Sequence, residues 1–274
     1  MSKLIFLDID GTLTEAGTNV PPESAVKAME MARKNGNKVC LCTGRNMDML
    51  SPLLVYPFDG IVSSSGGYVT VGDTVLADCP MPKEVLKQAL DCLHSNGVFC
   101  TIEGNNGSFG DENLKDFLDT TEGGNSEIER WRKALSESLH IRPMNEYDGS
   151  PIYKIVVMAR EASQIDECRA LLGEEYNIVL QDMPAHGCVN GELLSKSFDK
   201  GKGVRQIAEH FGYAIEDTIG FGDSMNDIEM IETVGHAVCM ANGSETLKKY
   251  ADEICPAVTE DGLYKAFEKL GLLG

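Results

Sequence analysis

A small set of residues in this chain is suited to one reaction centre: Asp8, Asp10, Thr43, Gly44, Lys200, Asp223, Asn226 and Asp227. Asp8 and Asp10 end the apolar run Leu4-Ile5-Phe6-Leu7 and, two apart in extended chain, can lean the same way. Carboxylates that close repel unless a cation or a shared proton relieves them. Asp223 and Asp227, within "GDSMND", add two more acids at helical i, i+4 spacing. Carboxylate oxygens suit a hard cation such as magnesium, whereas the hydroxyl, amide and backbone N–H groups of Thr43, Gly44 and Asn226 suit phosphate oxygens. Lys200, at the start of "KGKGVRQIAEHFG", supplies the fixed positive charge, where an ammonium and a helix N-terminus can share one anion.

Such groups converge only if strands deliver them to one edge. The first 80 residues alternate as strand 4–8, helix 22–35, strand 38–42, helix 46–54 and strand 59–63. The rhythm returns as helix 201–211, strand 217–221, helix 226–233, strand 236–240, helix 244–250, strand 252–255 and helix 260–270. Together they predict an α/β fold, a doubly wound parallel sheet whose ligand crevice lies outside the carboxyl ends of its strands. The segment between has another texture, mixing the helices "KEVLKQALDCLHSNG" and "EIERWRKALSESL" with strands joined by turn residues. It reads as a separate α+β domain inserted at 82–187, with 1–81 and 188–274 forming the core.

Composition narrows the function. With 43 Asp+Glu against 24 Lys+Arg, the net charge is −19, which disfavours nucleic acid or an anionic membrane as partner. The hydroxyl, amide and N–H groups above, and not the charge, point to a small phosphorylated substrate as partner, with monomer and homodimer left open. No apolar stretch reaches the length of a membrane span, and the N-terminus shows no signal-peptide pattern, so a cytoplasmic location is expected. The nine cysteines include no CxxC pair, and Cys40 and Cys42, alternating on a strand, read as buried small hydrophobes. Among five histidines only His186, in "MPAHGC", reads as a candidate for substrate contact.

The assembled motifs resemble the haloacid dehalogenase-like superfamily: DxDGT at Asp8 to Thr12, Thr-Gly-Arg at Thr43, Lys200 before its helix, and GDSxND at Gly222 to Asp227. The late "MANGSETLKKYAD" and "TEDG", with the insertion between the second and third motifs, are similar to its Cof-type, subclass IIB phosphatases. Where many of these have Asn-Gly after the third strand, this chain has Ser65-Gly66.

The resemblance implies a magnesium-dependent phosphatase with a Rossmann-like core and a cap that selects substrates. Asp8 would be the nucleophile, ionised at neutral pH and needing no base to attack phosphorus. Magnesium would be held by Asp8, the backbone carbonyl of Asp10, Asp223 and Asp227. The side chain of Asp10 would give a proton to the leaving oxygen and later take one from water, helped by neighbouring negative charge. Thr43 and Gly44 would hold phosphoryl oxygens, Lys200 would neutralise them, and Asn226 would orient Lys200 or the phosphate. Arg45 is expected to pair with a core carboxylate. Two alternatives use similar residues: a phosphomutase, which shares the Asp8 intermediate, and a receiver-like signalling module, which lacks the second acid and the cap.

Overall fold

The computed structural model describes residues 2–119, 141–180 and 188–274. The expected helix "EIERWRKALSESL" and His186 lie outside the described residues. Strands in chain order are β1 Leu4–Leu7, β2 Lys38–Cys42, β3 Gly60–Ser63, β4 Tyr68–Val71, β5 Thr74–Asp78, β6 Phe99–Gly104 and β7 Gly107–Gly110. There follow β8 Ile141–Pro143, β9 Ile152–Ala159, β10 Tyr176–Leu180, β11 Val189–Ser195, β12 Thr218–Gly222, β13 His236–Met240 and β14 Glu253–Cys255.

The described residues fall into two compact units, one within Met1–Arg45, Leu50–Asp78 and Phe198–Gly274, the other within Asn46–Met49 and Cys79–Ser197. The first is built on a sheet of order β14-β13-β12-β1-β2-β3-β4-β5. Pairing is parallel from β14 through β3 and antiparallel for β4 and β5. From β1 the sheet grows outward in both directions, so β1 and β12 flank the switch point where a doubly wound sheet opens a crevice.

β1 is apolar at every position because both its faces are covered. Leu4 and Phe6 join Cys40, Cys42 and Val62 in a core packed on Val204, Ile207 and Ala208 of the Lys200–Phe211 helix and Met230 and Ile231 of the Ile228–Thr233 helix. Ile5, Leu7, Val39 and Leu41 alternate with them and are equally buried. Cys40 and Cys42 are free and buried, as expected of small hydrophobes.

The β4–β5 hairpin is absent from the sequence-based expectation, although "YVTVGDTVLAD" carries alternation around a Gly72-Asp73 turn. The helix expected at 46–54 is only the single turn Met47–Leu50, and that expected at 244–250 is a 3-10 turn, Leu247–Lys249.

The second unit carries a sheet of order β10-β11-β9-β6-β7-β8. One face packs through Ile102, Ile155, Val157 and Leu193 on Leu86, Ala89 and Leu93 of the Lys83–Ser95 helix and Cys168 of the Asp166–Leu172 helix. The joint expected at 188 falls later: Val189–Ser195 pairs antiparallel with both β9 and β10, so the first unit resumes at Phe198. Asn46, which directly follows Arg45, belongs to the second unit, where its Nδ2 donates to Ser108 Oγ at 2.9 Å. Among the described residues no helix is long and apolar enough to cross a membrane.

Gly203 lets the Lys200–Phe211 helix lie against β3, because a Cβ there would stand 2.5 Å from Val62 Cγ1 and 2.9 Å from Cγ2. Val62 is fully buried and stiff at χ1, so it cannot yield cheaply. Overpacking of this kind costs about 1–3 kcal/mol, against about 1 kcal/mol that alanine gains over glycine in a helix. Gly203→Ala is therefore expected to lower stability by about 1 kcal/mol or more in urea unfolding. A midpoint at or above that of the parent would contradict this packing.

Candidate active site

The groups delivered to the switch point meet around one ammonium. Asp199 caps the Lys200–Phe211 helix, its side chain accepting from Lys202 N at 2.7 Å, and so places Lys200 in the first turn. Lys200 Nζ lies 2.8 Å from Asp8 Oδ1 and 2.5 Å from Asp227 Oδ1. The Lys200 side chain is 1% exposed, whereas that of Lys202 is 49% exposed and pairs with Asp199 at 3.2 Å. Two residues on in a helix is about 200° around the axis, so the two lysines point apart.

Asp8, Asp223 and Asp227 bring one carboxylate oxygen each within 4.8 Å of one another. Asp227 closes the short turn Met225–Asp227: its Oδ2 accepts from Asp223 N at 3.0 Å and Ser224 N at 3.2 Å, leaving Oδ1 for Lys200. Three acids around one lysine leave an excess of negative charge. Burial, then the neighbouring Asp227, raises Asp8 from an ordinary 3.8 to about 7, and the same causes in the same order raise Asp223 to about 9. Burial alone would lower Lys200, yet Asp227 and Asp8 lift it well above the usual lysine range. Oxygen donors too crowded to ionise together are what a divalent cation relieves, so the residues fit a magnesium site.

Asp10 departs from expectation. β1 ends at Leu7, and the chain turns at once, with Thr12 N donating to Ile9 O and Leu13 N to Asp8 O. The two acids therefore do not alternate along a strand, and the Asp10 side chain is outside the carboxylate cluster. It accepts from Arg45 Nε at 2.8 Å and Nη2 at 2.7 Å, and from Gly17 N at 3.0 Å. Arg45, itself buried, also donates to Thr18 O and Asn19 Oδ1. It pairs with a core carboxylate as expected, and that carboxylate is Asp10.

Thr43 is buried at the end of β2, and its Oγ1 accepts from Arg45 N at 3.1 Å, so its own proton remains to be donated. Gly44 is half-buried beside it. Asn226 is exposed and accepts from Ser224 Oγ at 2.7 Å; the partner on Lys200 is Asp227. Asn242, two residues past β13, holds the first motif in place by donating to Gly11 O at 2.8 Å and accepting from Val258 N at 3.1 Å. Only its position at a strand end signals this role in the sequence.

One other convergence of metal-type side chains occurs among the described residues, in the second unit. There Asp111 Oδ2 meets His94 Nε2 at 2.9 Å and accepts from Cys100 N at 2.7 Å. This ties a helix end to β6, while burial holds the Cys100 thiol far above its ordinary range.

A family model described as haloacid dehalogenase-like hydrolase matches residues 5–267. YkrA of Bacillus subtilis, named a phosphatase with no substrate in its name, is 27% identical over 99% of both chains. A phosphoglycolate phosphatase of Methanosarcina acetivorans is 26% identical over 98% of this chain and 96% of its own. A solved subclass IIB sugar phosphatase of the superfamily, 26% identical, covers 99% of this chain and 100% of its own with a TM-score of 0.79.

A pH dependence follows. Between about 3.8 and about 9 the folded, metal-free chain binds protons at Asp8 and Asp223 that the unfolded chain releases, so stability falls as pH rises through that window. In chelator, the melting temperature is expected to carry this falling component. Magnesium, which competes with those protons, should raise the melting temperature more at pH 8.5 than at pH 5.5. An equal shift at both values would count against the crowded carboxylates.

Proposed function

The chain belongs to the haloacid dehalogenase-like hydrolases and is a phosphatase, and from that premise we propose that it hydrolyses small phosphorylated metabolites through a phosphorylated Asp8 with magnesium as cofactor. The observation that carries the reading is the buried Lys200 ammonium within hydrogen-bond distance of both Asp8 and Asp227, with Asp223 beside them.

Magnesium bound by Asp8, Asp223, Asp227 and the Asp10 backbone carbonyl would neutralise charge on the phosphoryl oxygens. Asp8 attacks phosphorus, and the bond from phosphorus to the leaving oxygen breaks. Asp10 gives that oxygen its proton. In the second half-reaction Asp10 takes a proton from water, the water oxygen attacks phosphorus, and phosphate leaves with Asp8 restored. A carboxylate held by two guanidinium N–H groups must loosen from Arg45 to do this, so Arg45 sets the position from which Asp10 works. Lys200 steadies the phosphoryl oxygens from attack to departure, and Thr43 and Gly44 hold them with hydroxyl and N–H donors.

These core groups all address the phosphoryl end, so we assign selection among leaving groups to the inserted unit. Relatives named for a sugar phosphatase and a phosphoglycolate phosphatase support a small polar leaving group. Nothing in the mechanism calls for nucleic acid or a membrane as partner.

The expected result is release of inorganic phosphate from an aryl phosphate and from sugar phosphates, with magnesium and without any sugar bisphosphate. Excess chelator should stop it. Lys200→Ala should remain folded and lose about 3 kcal/mol of transition-state stabilisation, roughly a hundredfold in rate. Lys202→Ala, which removes an exposed ion pair, should stay within about twofold. Comparable large losses in both folded variants would mean that the cation has been assigned to the wrong lysine.

A further inference from the structure

After β3 the chain turns through Ser64 and Ser65, and both take left-handed backbone conformations, with φ of 49° and 57°. Residues with a side chain seldom do so, and serine less readily than asparagine or glycine. The backbone reason for the turn is clear. Ser64 N donates to Arg45 O at 2.8 Å and Ser65 N to Thr43 O at 3.0 Å. Gly66, with φ of 100°, then passes so close to the cap of the Lys200 helix that a Cβ would stand 2.2 Å from Asp199 O. The turn thus joins the Thr43–Arg45 loop to the segment that presents Lys200.

None of this requires hydroxyl groups. Glycine would hold the same turn without the steric conflict, yet two consecutive serines occupy it. Both Oγ atoms are buried, and among the described residues neither has a hydrogen-bond partner. An unmet buried hydroxyl is destabilising, as is the left-handed backbone that carries it. Around them the other polar groups are paired: Thr43 with Arg45 N, Arg45 with Asp10, and Lys200 with Asp8 and Asp227. Burial does not set the serines apart from the machinery, because Lys200 is just as inaccessible. Strain together with unmet hydrogen-bonding capacity, next to a reaction centre, indicates groups held ready for a ligand.

We propose that Ser64 and Ser65 are substrate-binding residues whose hydroxyls donate hydrogen bonds to oxygens of the phosphoryl group beside Thr43. Thr43 and Lys200, the neighbours joined by the turn, are donors as well, so the set matches a ligand rich in acceptors, a phosphate monoester dianion, in preference to an alcohol. This inference rests on the phosphatase reading.

The test compares Ser64→Gly and Ser65→Gly, which keep the turn and relieve its strain, with Ser64→Ala and Ser65→Ala, which remove only the hydroxyl. For each, the melting temperature, its shift on adding inorganic phosphate with magnesium, and kcat/KM on an aryl phosphate are measured. Each single variant is expected to lose about tenfold in kcat/KM and to show a smaller phosphate shift. The glycine variants should melt no lower than the parent. Folded glycine variants that keep the parent's kcat/KM and phosphate shift would overturn the inference, as would losses confined to the alanine variants, since the role would then belong to the backbone. A parent protein that neither releases phosphate nor responds to it would overturn the phosphatase reading, whereas an active parent with indifferent variants would overturn this inference alone.

Discussion

A buried ammonium between two carboxylates holds the first unit's reaction edge together. Lys200 meets Asp8, which is 192 residues away in sequence, and Asp227, which is 27 residues away. Charges taken out of water are tolerated only when paired and hydrogen-bonded, and deleting one partner of such a pair typically costs about 3–5 kcal/mol. The end of β1, the start of the Lys200 helix and the turn after β12 are therefore bound to one another by electrostatics as well as by packing. Asp223 brings a third carboxylate to an ion set that one lysine does not balance.

The second unit supplies an internal contrast. Lys154 on β9 is also almost fully buried between two acids, with Nζ 3.1 Å from Glu103 and 2.7 Å from Glu192. The register explains it: Glu103 pairs across from Lys154, and all three residues lie on neighbouring strands of one sheet. The Lys200 cluster differs by its place at a switch point, its third acid, and a neighbouring loop of hydroxyl and backbone donors.

Asp10 takes part in a separate ion pair. Arg45 holds Asp10 with two N–H groups and anchors itself on Thr18 O and Asn19 Oδ1. Two neighbouring acids in one motif thereby acquire different surroundings, Asp8 among acids and an ammonium, Asp10 in a guanidinium fork. Divergent environments of this kind let like carboxyl groups take unlike roles.

By itself the sequence determined what is local. The apolar runs of β1, β2 and β12, the helix that begins at Lys200 and the four short motifs are each written in contiguous residues. A strand buried on both faces or a helix with one apolar stripe leaves its period in the chain. The placing of Lys200 at the start of its helix was legible for the same reason, since Lys-Gly-Lys-Gly-Val opens that apolar stripe. Tertiary structure decided what depends on the turn after a strand and on pairing across long separations. Asp10 faces Arg45 because the chain bends directly after β1, so the alternation of extended backbone no longer applies. Val189–Ser195 belongs to the inserted unit because β9 and β10 supply its hydrogen-bond partners, and a short strand carries no mark of which sheet it will join. The left-handed turn at Ser64 and Ser65 was likewise unreadable, because the carbonyls that hold it, Arg45 O and Thr43 O, follow another strand that only the packed fold brings beside it.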